Sequence, residues 1–185
     1  LEEFRVRFDR EGVETVLTND STVKVKDAMR TLSSNLLVGI VLVFGLIWAF
    51  MGLRNAALTT VGIPFAFLTT MVVMYLTGNS VNEISLFAFV LVSGIIVDDA
   101  IIVVENIYRH IQAGKARLEA VIDGTAEVLL PIVAATMTTV AAFLPMLIMT
   151  GSTGEFFAII PKAVAFALVA SLLECLIILP SHVLD

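Results

Sequence analysis

The stretch ISLFAFVLVSGIIVDDAIIVV, residues 84–104, decides how this chain is built. It is long enough and apolar enough to cross a bilayer as a helix, for which about 20 mostly apolar residues suffice. It also places Asp98 and Asp99 side by side. An aspartate at the centre of a spanning helix costs roughly 2.5–3.5 kcal/mol on the insertion scale, so two cost roughly 5–7. The fourteen Leu, Ile, Val and Phe residues of the stretch, at roughly −0.3 to −0.6 kcal/mol each, return about 4–8. The terms nearly cancel. Such a helix is a poor solitary span and needs protein neighbours or water around its aspartates. The pair lies about 6–8 Å past the middle of the span at ~1.5 Å per residue, which lowers the cost somewhat.

Working outward, four more segments read as spans: 35–53, 56–76, 128–149 and 156–179. The first three of these carry no charge, the last carries Lys162 and Glu174, and Pro180 is expected to end it. Hydrophobic residues make up 58% of the 185 and charged residues 15%, against about 45–50% and about 25% in soluble domains. The fold class expected is therefore an all-α membrane protein, a five-helix transmembrane bundle segment with a short extramembrane strand and helix stretch at its N-terminus. Thirteen of the 28 charged residues fall in the first 30 positions, so residues 1–34 read as the end of an outer domain and residues 35–185 as the transmembrane domain. Phe4, Val6 and Phe8 alternate with polar residues as in a strand. Asp20 and Ser21 suit a helix N-cap, and Val25, Met29, Leu32 and Leu36 at helical spacing imply a helix running into the first span. The chain lacks an initiating Met and an apolar leader, and reads as an internal segment of a longer protein.

Connecting loops set the orientation. Arg54, Arg109, Lys115 and Arg117 belong to the first and third loops, whereas the second and fourth contain no Lys or Arg. Short basic loops stay in the cytoplasm, which puts residues 1–34 outside despite their six basic residues; large domains cross largely regardless of charge. The third loop, 105–127, is expected to extend the third span past Tyr108, break at Gly114, and form a short amphipathic helix with Leu118, Val121 and Ile122 on one face, stopping near Gly124. Trp48, Tyr75 and Tyr108 read as interface anchors, and the scattered Met residues as packing. No basic cluster suggests nucleic acid, and the lone Cys175 has no partner for an internal disulfide.

Adjacent helical residues point about 100° apart, so only a surrounding bundle removes both Asp98 and Asp99 from lipid. Two carboxylates held away from water repel as anions and titrate as a coupled unit. Such a pair can take a proton from one side of the membrane and release it to the other. The plainer alternative is an electrostatic staple to a basic residue. A metal site would want His, Cys or Met nearby, and the span has none.

The motif Gly94-Ile95-Ile96-Val97-Asp98-Asp99-Ala100-Ile101-Ile102-Val103-Val104-Glu105-Asn106-Ile107 closely resembles the fourth transmembrane helix of the resistance–nodulation–division (RND) exporters. Arg54-Asn55-Ala56 with Ile63-Pro64 resembles the turn and helix three of the same family. Gly78 through Leu86 resembles the loop before helix four, and Phe143-Leu144-Pro145-Met146 followed by Gly151-Ser152-Thr153-Gly154 the end of helix five and the next outer loop. The resemblance, over about residues 20–185, implies helices two to six of the first six-helix repeat. It implies a multi-pass protein of the bacterial inner membrane that is not an enzyme and needs no cofactor beyond the proton gradient. It further implies proton antiport of hydrophobic or amphiphilic compounds, the aspartate doublet favouring that type over metal-ion exporters. Its implied partners are the second transmembrane repeat, which supplies a lysine to the aspartates, two further copies in a homotrimer, a periplasmic adaptor and an outer-membrane channel.

Accessory candidates are Glu105, seven residues after Asp98 on nearly the same face; Glu174, which is either an inward-facing polar site or a residue reaching the inner interface; and Thr136, in a cluster with Thr138 and Thr139. Lys162 is expected to snorkel near the outer face. Two other functions fit a bundle of this kind: a secretion accessory with a similar proton-reading membrane domain, and a sterol-sensing-type five-helix module.

Overall fold

A computed structural model describes residues 21–80 and 82–184 of the chain. The strand expected at 4–8 lies outside the described residues. Seven helices follow in order: α1 (Ser21–Met51), α2 (Leu53–Leu76), α3 (Glu83–Gln112), α4 (Arg117–Phe143), α5 (Gly151–Phe157), α6 (Ile159–Leu173) and α7 (Leu179–Leu184). A 3₁₀ turn, Leu144–Leu147, continues α4, and a π turn, Glu174–Ile178, joins α6 to α7. Among the described residues there is no strand, and five stretches are long and apolar enough to span a membrane.

α3 sits at the centre and packs against α1, α2, α4 and α6, with α6 its most extensive neighbour. The core between α2, α3 and α6 contains Ile63, Phe67, Phe89, Val92, Val164 and Leu168, and Phe67 and Phe89 meet at a ring separation of 5.3 Å. α1 lies at the edge: Leu37, Val41, Leu42 and Leu46 are exposed, as suits a surface meant for lipid or for further helices. The start of α3 is fixed by a reciprocal cap. Asn82 Oδ1 accepts from the Ile84 and Ser85 amides at 3.0 Å each, and Ser85 Oγ accepts from the Asn82 amide at 2.8 Å, satisfying donors a helix start otherwise leaves bare.

Three expectations are corrected. The third loop is not a separate amphipathic helix ending at Gly124: α4 runs unbroken from Arg117 to Phe143, and the true connection is only residues 113–116, turned at Gly114 with φ 89°. Gly124 does not stop the helix but lets it approach α3, since a Cβ there would lie 2.8 Å from the Ile107 Cα. Leu118, Val121 and Ile122 fall on one side of α4, where Val121 is buried and Leu118 and Ile122 are exposed. Finally, Pro180 does not end the last span, which continues to Leu184. The π turn resets the helical register, so Pro180 falls in the first turn of α7, where a missing N–H is tolerated.

Candidate functional site

The two faces of α3 have opposite character. Phe87, Leu91, Gly94, Asp98, Ile102, Glu105 and Arg109 recur at spacings of three and four and are all exposed. Val92, Ile96, Asp99, Val103 and Asn106 form the opposing stripe and are buried. Adjacent in sequence, Asp98 and Asp99 are thus assigned to different surroundings, Asp98 outward on an otherwise largely apolar stripe and Asp99 inward, 7% exposed. The aspartate spacing alone could not say which of the two would be covered.

Asp99 is thinly held. Thr136 on α4 donates to its Oδ2 across 3.4 Å. Of the three hydroxyls clustered on that helix, only Thr136 turns inward; Thr138 and Thr139 donate to the carbonyls one turn back, at Ala134 and Ala135. Behind Asp99, Ser171 of α6 donates to the Ile96 carbonyl at 3.4 Å, and Cys175 packs in the same cluster as Ala100. Among the described residues, none of the ion pairs involves Asp98 or Asp99. Lys162 is exposed at the start of α6 and pairs with neither.

One turn and more beyond the pair, the same helix is clamped. Asn106 Nδ2 donates to the Gly124 carbonyl at 2.7 Å and to Glu127 Oε2 at 3.2 Å. Arg109 reaches the same oxygen at 2.6 Å, and His110 lies 2.8 Å from it. Lys115 pairs with Asp123 at 2.6 Å across the 113–116 turn. Arg117 donates to the Leu184 carbonyl at 3.1 Å, tying the start of α4 to the end of the chain's last helix. Beside this clamp is a cavity of about 990 Å³ whose walls include Asn55, Ile101, Glu105, Asn106, Arg109 and Gln112. Glu105 therefore lines an opening of mixed polar and apolar walls at the Arg54 and Arg109 end of the bundle.

Glu174 resolves in favour of the interior. It is 3% exposed, on the π turn, with its carboxylate against Gly62 of α2. Glu127 and Gly62 escaped the sequence reading, and Asn106 entered it only as part of the motif, without a contact assigned to it. The signal for Asn106 was present, since it lies seven residues after Asp99 on the same helical face. Nothing in the sequence pairs Gly62 with Glu174.

A central helix with an inward and an outward carboxylate, set in a bundle of five apolar spans, defines a polytopic membrane protein with ionisable groups inside one of its spanning helices. Residues 1–183 match the AcrB/AcrD/AcrF family. The multidrug resistance protein MdtC of Salmonella arizonae is 33% identical over 166 residues, covering 87% of this chain and 16% of that protein. MdtC of Escherichia coli O139:H28 is 32% identical over 170 residues, covering 91% and 17%. The chain belongs to the AcrB/AcrD/AcrF family of RND multidrug transporters, proteins of the bacterial inner membrane, and spans about one sixth of the length of the relatives it matches.

Proposed function

We propose that this chain is the membrane core of the first repeat of a proton-driven exporter, and that Asp98 and Asp99 carry the protons. The observation that carries the reading is the split of the doublet between the two faces of α3. An aspartate left on an apolar stripe is costly against lipid, so the Asp98 face calls for covering helices. The second repeat of the complete protein is the natural cover and the source of a basic partner. Asp99 faces the interior with a single long hydrogen bond from Thr136, an arrangement that leaves its oxygens accessible to a proton. Binding a proton at Asp99 removes a buried charge, and repulsion between neighbours makes the occupancy of one site depend on the other. Helix packing around α3 would then differ between the protonated and ionised states, which is what coupling to a distant drug site requires.

The cargo proposed is hydrophobic or amphiphilic, in keeping with the name of the MdtC relatives. The working unit is a homotrimer with a periplasmic adaptor and an outer-membrane channel, moving compounds without chemical change and so without catalytic residues or a cofactor. Glu105, beside the inner cavity, fits a place at the cytoplasmic mouth of the proton route.

The test is export driven by an imposed pH gradient in proteoliposomes containing the complete protein. Asp98→Asn and Asp99→Asn keep shape and some hydrogen bonding but cannot exchange a proton, and each should reduce export to background. Wild-type rates from both variants would overturn the assignment and leave the doublet as an electrostatic staple.

A further inference from the structure

Glu174 is a buried carboxylate that the Asp98–Asp99 mechanism does not use. Its surroundings are built around it from two helices. On α2, Gly62 leaves the space the carboxylate fills: a Cβ at that position would lie 2.6 Å from the Glu174 Cδ and 2.6–2.7 Å from its two oxygens. Any side chain at 62 would expel the acid. On its own helix, Glu174 opens the π turn, and the Leu179 amide bonds back to the Glu174 carbonyl five residues earlier. Pro180 then offers no N–H to the Leu176 carbonyl one turn back. π turns of this sort concentrate at functional sites.

The polar character of α2 around Gly62 is one-sided. Toward the Arg54 end, the buried stripe carries Thr59 and then Asn55. Thr59 is 2% exposed, and its hydroxyl has no hydrogen-bond partner among the described residues. Asn55, about 10 Å from Gly62 at ~1.5 Å per residue, lines the cavity at the inner end of the bundle. Toward the other end the stripe is Ile63, Ala66, Phe67 and Met74, and its one hydroxyl, Thr70, is committed to the Ala66 carbonyl at 2.6 Å. A buried, unmatched hydroxyl is costly unless something visits it. Water entering from the cavity past Asn55 would satisfy Thr59 and reach Glu174 from that side alone.

We infer that Glu174, seated on Gly62 and reached from the inner cavity past Asn55 and Thr59, is a second proton-exchanging carboxylate, distinct from the Asp98–Asp99 pair. The inference goes beyond the aspartate assignment and survives its failure. The proton comes from water in the cavity, adds to a carboxylate oxygen and returns by the same route, so no other reactant is needed. The titratable and charged groups on the elements packed against Glu174 are few. They are Cys175 beside it; on α3, Asp99 across Cys175, Asp98 and Glu105 outward, Glu83 at the start and Tyr108, Arg109 and His110 near the end; Arg54 and Tyr75 at the two ends of α2; Lys162 at the far end of α6; and the exposed His182 on α7. No cation among them is placed to hold Glu174 permanently ionised: Arg54, Lys162 and His182 are each at least two turns away along their helices, and Arg109 and His110 lie more than two turns past Asp99 and are engaged with Glu127.

The experiment is a pH titration of the complete transporter in lipid nanodiscs, followed by infrared difference spectroscopy of the carboxyl C=O region. The D98N/D99N protein should keep a titrating carboxyl band that the D98N/D99N/E174Q protein loses. Thr59→Val should shift that band without changing the thermal unfolding midpoint, because it removes a hydrogen-bonding neighbour and little else. If the triple variant does not fold, the single Glu174→Gln variant against wild type gives the same difference. Equal titrating intensity with and without Glu174 would overturn the inference, because a purely structural carboxyl holds one protonation state throughout. The aspartate assignment is judged separately, by export from the D98N and D99N proteins.

Discussion

The middle of α3 and its inner end both contain ionisable groups, and they are built in opposite ways. At the inner end, Asn106, Arg109 and His110 converge on one oxygen of Glu127 at 3.2, 2.6 and 2.8 Å, and Asn106 holds the Gly124 carbonyl as well. In the middle, Asp99 has one hydrogen bond at 3.4 Å and Asp98 faces outward on an otherwise largely apolar stripe. Saturated bonding fixes a geometry; sparse bonding at a costly charge leaves it free to change state. On the proposed function the clamp is structure and the doublet mechanism, although both lie on the same helix within about three turns of each other.

The contrast is broken most directly at the doublet. The D98N/D99N double variant of the complete protein should lose all export driven by a pH gradient while its thermal unfolding midpoint stays at or above the wild-type value, since neutral Asn lowers the cost of insertion. A midpoint that fell with the export would place the aspartates in the same class as the clamp. Next in size is Gly124→Ala. The new methyl meets the Ile107 backbone at 2.8 Å, so α3 and α4 must part, at a cost of about 1–3 kcal/mol, read as a lower denaturation midpoint. An unchanged midpoint would show that the two helices are not held at that point.

Asn106→Ala should destabilise by a similar or smaller amount, about 1–3 kcal/mol for two lost hydrogen bonds at about 0.5–1.5 each, with export by the surviving folded protein unaffected. Glu127→Gln tests the exposed side of the same clamp. Arg109 remains solvated, and the Gln oxygen still accepts from Asn106 and His110, so only a small fall in midpoint is expected, again with export intact. If export collapsed in the Glu127→Gln protein without loss of folded protein, the clamp would belong to the mechanism. The smallest effect is expected from Thr136→Val, which removes only the long bond to Asp99, a contribution of about 0.5–1.5 kcal/mol. Export should slow by up to about tenfold without being lost, and complete loss would make the hydroxyl an obligatory part of the proton route.

The helical class and the five spans were legible in the sequence because they follow from local quantities, the length and apolarity of each run, and the doublet stood out there for the cost of an aspartate in hydrocarbon. The cap at Asn82 and the break at Gly114 were within reach for the same reason. What misled was Gly124 and Pro180, whose usual local meaning as helix breakers was overridden by contacts made elsewhere. Gly124 is a contact glycine because Ile107 lies against it, and Pro180 is tolerated because the π turn shifts its register. Which aspartate faces inward, that Asn106 grips α4, and that Glu174 rests on Gly62 were decided by tertiary structure alone. Each depends on the rotation of one helix about its axis relative to a neighbour far away in sequence, and that rotation is set by the packing of the whole bundle.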